Sequence, residues 1–213
     1  MYIVPRDNGF ILAVSSFIFL VLSWSTVTIR TVVRVSIKAF WADDWLMVGG
    51  LLVFTGTCIS SVMMAFHGGG ARVVPYDLHS VREDKKWFFL VQILHVTSTA
   101  PIRISICVSL LRIAIHRWHR ITLYIIIVAA CISALITDAG ILAQASPIQS
   151  FWTPDTGNIR PPDLIIGVSF LMSVMSILED LAIAALPWTI LRHVQLAKRV
   201  KMSLMVVLAL GST

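Results

Sequence analysis

The chain has 213 residues, 57% of them apolar and 13% charged, with a mean hydropathy of +0.86. Soluble domains carry about 25% charged residues, so this composition excludes a water-soluble domain and points to the bilayer as solvent and partner. The net charge of +6 does not mark a nucleic-acid binder: the basic residues form short clusters between uncharged runs, with no aromatic-interleaved basic stripe on a polar face.

A helix needs about 20 apolar residues, at about 1.5 Å each, to cross a hydrocarbon core of about 30 Å. The first predicted span, residues 9–29, and the second, 45–66, are free of charge. The first is also longer than the 7 to 15 residues or so of a signal-peptide apolar core. The third, 87–111, contains Arg103; the fourth, 121–143, contains Asp138; the fifth, 164–191, contains Glu179 and Asp180. Residues 202–213 are apolar but would reach only about 18 Å, so the chain is expected to stop inside a sixth span. The fold class read from this pattern is an all-α membrane bundle forming one helical domain.

Lys and Arg are biased toward the connections after the odd spans, with Arg30, Arg34, Lys38, Arg112, Arg117 and Arg120 among them. The positive-inside rule then predicts an extracellular or lumenal N-terminus. Trp41, Trp45, Trp87, Trp118, Trp152 and Trp188 fall near span ends, as an interfacial aromatic belt requires. Cys58, Cys107 and Cys131 all lie in apolar runs, where neither a disulfide nor a metal cluster with paired ligand spacing is expected. Asp43 and Asp44 precede Trp45 at a helix start, where carboxylates cap free amides and favour the dipole. Gly68, Gly69 and Gly70 read as a helix terminator. His116, Arg117, His119 and Arg120 read as a solvated basic loop facing anionic lipid.

The run from Trp41 through Asp43, Asp44 and Trp45 resembles the entry to the second span of the fungal rhodopsin-like domain family of integral membrane proteins. Further blocks match in order: Gly68 to Gly70; Ser105 and Ile106 through Leu111, Arg112 and Ile113; Gln144, Pro147, Phe151 and Trp152; Asp180, Leu186 and Pro187; then Gln195, Leu196 and Lys201. The resemblance implies a seven-span architecture, of which this chain would lack most of span six and all of span seven. It also implies a receptor-like protein, without implying retinal chemistry. A retinal Schiff base needs an amine inside the bundle, and Lys38, Lys85, Lys86, Lys198 and Lys201 are all read as loop residues. The family's outer loop usually has two cysteines where this chain has Ala145 and Ile159, which excludes that disulfide and leaves the rigidity it would give the loop unsupplied. Other departures are Arg72 for His, Gln92 for an acidic residue, His95 for an aromatic one, Arg103 for Lys and Ser176 for Asn.

Gln92, His95, Thr99 and Arg103 recur at spacings of three, four and four, which places them on one helix face. A charge at the bilayer centre costs roughly 2.5–3.5 kcal/mol on insertion scales, so such a face turns inward and its charge finds a partner. Arg103 and Asp180 lie at equal depth, 16 residues past the predicted starts of two spans running in the same direction. The expected pair is Arg103 with Asp180, and Glu179 is the competitor. Pro101 is expected to kink this helix. Asp138 is read as shallower, near Gln92 and His95, where a second polar cluster would form. The structural reading makes these residues helix-locking contacts; the functional reading makes them a site for an unidentified small ligand. Receptor-like sensing is the leading function. The alternatives are a membrane-embedded enzyme acting on a lipophilic metabolite, with His95, Asp138, Glu179 and Asp180 as acid and base, and a transporter. No cofactor is called, and nothing in the sequence sets an oligomeric state.

Overall fold

With no water in hydrocarbon to pair exposed amides, a single apolar segment satisfies its backbone only as a helix, and the chain folds accordingly. A computed structural model describes residues 8–69, 78–114, 116–146, 148–153, 158–159 and 162–193. Among the described residues there are five α-helices: α1 (Asn8–Ser36), α2 (Ala42–Phe66), α3 (Leu78–Ile113), α4 (Arg117–Leu142) and α5 (Pro162–His193). Four segments among the described residues are long and apolar enough to cross a membrane: Asn8–Ser36, Ala42–Phe66, Val81–Arg112 and Arg117–Leu142. The 32-residue α5 carries the Glu179–Asp180 pair near its middle. The predicted partial span 202–213, together with Gly70, Arg72, Pro147 and the Lys198 and Lys201 region, lies outside the described residues.

The helices run past the predicted spans at most ends, because charge ends the hydrocarbon segment without ending the helix. α1 continues through Arg30 and Arg34 to Ser36, and α3 begins at Leu78, nine residues before Trp87. Lys85 and Lys86 therefore sit on the first turns of α3 and not in a loop, and Lys86 Nζ pairs with Glu83 Oε1 at 2.6 Å. Arg117, His119 and Arg120 likewise belong to α4, with His116 as its N-cap residue.

α3 is the central element. It packs on α2, α4 and α5, while α1 lies against α2 and α4 against α5. Lipid is as apolar as leucine, so helices in membranes associate through close backbone approach and polar contacts more than through hydrophobic burial. Gly50 supplies the close approach between α2 and α3: a Cβ there would sit 2.7 Å from Ile102 Cγ1 and 3.3 Å from Pro101 Cγ. Trp24 of α1 donates its indole N–H to Thr55 Oγ1 of α2 at 3.2 Å. An apolar cluster of Ile106, Cys107, Leu110, Leu123, Ile126 and Ile183 joins α3, α4 and α5. Phe10, Phe17, Phe19, Ile125, Leu135 and Phe170 point outward as a lipid-facing surface. α3 continues as helix through Pro101, which cannot donate to the carbonyl of Thr97.

The expected glycine terminator of α2 is a Schellman motif: Gly68 has φ 101, its N–H reaches the carbonyl of Ala65 at 3.4 Å, and the N–H of Gly69 reaches that of Met64 at 3.0 Å. Beyond α4 the connection to α5 forms a two-stranded antiparallel pair, β1 (Ala145–Ser146) and β2 (Asn158–Ile159), with Ala145 directly opposite Ile159. A single 3-10 turn, Ile148–Phe151, follows β1. Phe151 and Trp152 then pack against Phe89 of α3, with ring centroids 5.6 and 6.1 Å away. Backbone pairing and aromatic contacts are thus present among the described residues of this connection, where the disulfide is absent.

Candidate functional site

Helical spacing brings Gln92, His95, Thr99 and Arg103 onto one face of α3, and all four line a cavity of about 540 Å³ between α3, α4 and α5. Ser133, Ala134 and Thr137 of α4 and Ser169, Met172 and Ser176 of α5 form the facing walls, while Gln144 closes one end. Small residues on α4 and α5 leave the volume open; the polar ones keep it from being purely greasy. Oε1 of Gln92 is buried without a hydrogen-bond partner. His95 is exposed and lines the cavity.

Arg103 lines the cavity, and it binds the expected partner Asp180 and the competitor Glu179 together. Its Nε and Nη2 donate to Asp180 Oδ1 and Oδ2 at 2.9 and 3.1 Å, a two-pronged contact. Nη1 donates to Glu179 Oε2 at 2.8 Å, and Nη2 also reaches Ser176 Oγ. Glu179 and Asp180 are neighbours on α5, so one guanidinium, with donors on several edges, can take both. Glu179 is only 6% exposed whereas Asp180 is 60% exposed. Two carboxylates around one guanidinium leave this cluster with an excess of one negative charge.

Asp138 is placed differently from the expectation. It does not line the cavity with Gln92 and His95; its Oδ2 accepts from Thr97 Oγ1 at 3.4 Å, because Thr97 lies off the polar face. The proposed second cluster is corrected to this single contact.

A second constellation lies where α1, α2 and α3 meet. Asp43 is fully buried and Asp44 nearly so. Asp43 Oδ2 takes Arg34 Nη1 at 2.9 Å, Arg30 Nη2 at 3.5 Å and Ser109 Oγ at 2.8 Å, while its Oδ1 faces Arg112 Nη2 at 3.2 Å. Asp44 Oδ1 accepts from Arg30 Nε at 3.3 Å. Ser109 is also reached by both arginines of α1, and Ser105 Oγ donates to the backbone carbonyl of Asp43 at 2.7 Å. Arg112 stacks over the Trp41 ring, 4.7 Å from its centroid. The capping role read for the acidic pair survives in one contact, Asp44 Oδ2 accepting the N–H of Trp41 at 3.2 Å. The larger role, joining three helices, is not one that capping predicts. Its signal was present as three same-face spacings: Arg30 with Arg34, Ser105 with Ser109, and Ser109 with Arg112. Trp45 is exposed, and Pro187 lies within α5.

A family model described as the fungal rhodopsin domain matches residues 29–213. The chain belongs to the fungal rhodopsin domain family. No curated protein and no solved structure matches it. With its membrane-spanning helices, this is a fungal rhodopsin-like, multi-pass membrane protein. Gln92, His95, Arg103 and Ser176, four positions expected to differ from the family's usual residues, line the same cavity. No lysine is among the lining residues.

Proposed function

We propose that this fungal rhodopsin-like protein is a receptor-like sensor that holds a small lipophilic ligand between α3, α4 and α5, with α5 as a fifth span and the N-terminus outside. The observation that carries the reading is the cavity of about 540 Å³, which falls in the range of about 300–1,000 Å³ typical of small-molecule sites. Apolar walls with a few convergent polar groups are what such a ligand needs for affinity and orientation. The bias of basic residues toward the Arg30, Arg112 and Arg120 side supports the orientation. Catalysis has less support: Arg103 engages both Glu179 and Asp180, and Asp138 stands away from the cavity that His95 lines.

The test is thermal unfolding of the chain in lipid nanodiscs against a panel of lipophilic small molecules. A compound that raises Tm for the unmodified chain and not for Ala134→Phe, whose ring occupies the cavity, supports the reading. Equal stabilisation of both proteins, or of neither across the panel, refutes it. An epitope tag at the N-terminus that is reached by antibody on intact cells supports the orientation; a tag reached only after permeabilisation overturns it.

A further inference from the structure

We propose that the end of the bundle where α1 ends, α2 begins and α3 ends holds the headgroup of an anionic phospholipid, seated between Lys38 and Arg112 beside Trp41. α1 with its exit, α3 and α4 bring six cations to this end: Arg30, Arg34, Lys38, Arg112, Arg117 and Arg120. Against them stand two carboxylates, Asp43 and Asp44, which leaves four positive charges in excess on these elements. Both carboxylates are buried and paired with Arg30 and Arg34. The excess therefore resides on the outer groups, Lys38, Arg112, Arg117 and Arg120, all of them exposed. No ion pair joins Lys38, Arg117 or Arg120 to a carboxylate among the described residues.

Arg112 is the group with donors to spare. Its side chain is one-third exposed and faces Asp43 Oδ1 at 3.2 Å, yet that oxygen takes part in no hydrogen bond among the described residues. A guanidinium carries five N–H donors in a fixed fork that matches phosphate oxygens, and this one is carried on the Trp41 ring, 4.7 Å from its centroid. Lys38 precedes Trp41 by three residues, so their Cα atoms are at most about 11 Å apart. That separation brings the long, flexible ammonium side chain within reach of a phosphate resting at Arg112. A lipid suits this surface better than an acidic peptide. Val33, Ile37, Trp41 and Trp45 are exposed and continue the lipid-facing surface up to the two cations, so acyl chains have an apolar wall beside a phosphate held at the level of interfacial tryptophans. A peptide arriving from water would gain nothing from that wall.

The chain is reconstituted in phosphatidylcholine nanodiscs containing a minor share of phosphatidylglycerol with identical acyl chains, and native mass spectrometry reads the lipids kept by the released protein. Phosphatidylglycerol is expected to be enriched over its share in the disc. Lys38→Gln should cut that enrichment about fivefold, the worth of one interfacial charge. Arg112→Lys, which keeps the charge and gives up the fork and the stacking, should also lower it; full retention overturns the part given to the guanidinium. Arg82→Gln withdraws an exposed charge thirty residues away at the opposite end of α3 and should leave the enrichment unchanged. No enrichment on the unmodified chain, or equal effects of Lys38→Gln and Arg82→Gln, overturns the site. Hexaglutamate that binds the chain in pure phosphatidylcholine discs and displaces phosphatidylglycerol from mixed ones assigns the patch to an acidic peptide and overturns the lipid. Lys38 stands outside the Asp43 cluster, so the comparison of Lys38→Gln with Arg82→Gln decides the matter even if Arg112→Lys fails to fold.

Discussion

Replacing Asp43 by asparagine removes one of two carboxylates from a place where three guanidinium groups converge. Asp43 is fully buried and faces Arg34 at 2.9 Å, Arg112 at 3.2 Å and Arg30 at 3.5 Å. Asparagine keeps the volume and can still accept from Ser109, so the loss is almost wholly electrostatic. Removing one member of a buried ion pair commonly costs about 3–5 kcal/mol. Arg112 is one-third exposed, so solvent relieves part of the added repulsion and the expected cost is at the low end, about 3 kcal/mol. The measurement is reversible unfolding by sodium dodecyl sulfate in mixed micelles, followed by helical circular dichroism. Glu83→Gln is the control: its pair with Lys86 is at 2.6 Å but on part-exposed side chains, so its loss costs about 0.5 kcal/mol or less. Adding Arg112→Gln to Asp43→Asn withdraws one of the unmatched charges and should recover about 1–2 kcal/mol. If Asp43→Asn costs no more than Glu83→Gln, or the double variant is less stable than the single, the cluster does not hold the helices as described.

Arg103→Leu should cost about 3–5 kcal/mol in the same assay, because Glu179 is left buried with its Oε1 already unpartnered. Arg103→Lys should lose less than Arg103→Leu, since it keeps the charge and gives up the two-pronged contact; equal losses would refute the ion-pair account. Ala145→Cys with Ile159→Cys should form a disulfide, seen as a mobility shift on oxidation. Directly opposed residues of an antiparallel pair have Cα atoms about 4.5–5.5 Å apart, within the usual disulfide range of about 4.4–6.8 Å. The closed loop is short, and the gain expected is about 3 kcal/mol. Failure to cross-link would disprove the register of β1 and β2.

The membrane class and the approximate course of the first four spans were legible in the sequence because hydropathy reports directly on transfer into hydrocarbon. Helix ends were less legible. Arg30, Arg34 and Lys86 look like loop residues to a hydropathy reading, yet each is helical and has a carboxylate within reach. The depth match of Arg103 with Asp180 was arithmetic on helical rise. The participation of Glu179 needed the orientation of α5, which residue spacing alone does not supply. The Asp43 cluster was hidden for another reason: the capping interpretation used partners within three residues, whereas Ser109 and Arg112 are more than sixty residues away in sequence. Depth along a helix does not fix azimuth, which is why Asp138 stands apart from Gln92 and His95. It stands on a face of α4 that meets Thr97 and turns from the cavity.

Arg103, Ser105, Ser109 and Arg112 occupy one uninterrupted stretch of α3, and Pro101, with its missing backbone bond, lies just on the other side of Arg103. The compliant point of the helix therefore falls between the Gln92 half and the Arg103 half. Arg103, which lines the cavity, and Ser109, which takes the arginines of α1, therefore share the same unbroken half of the helix.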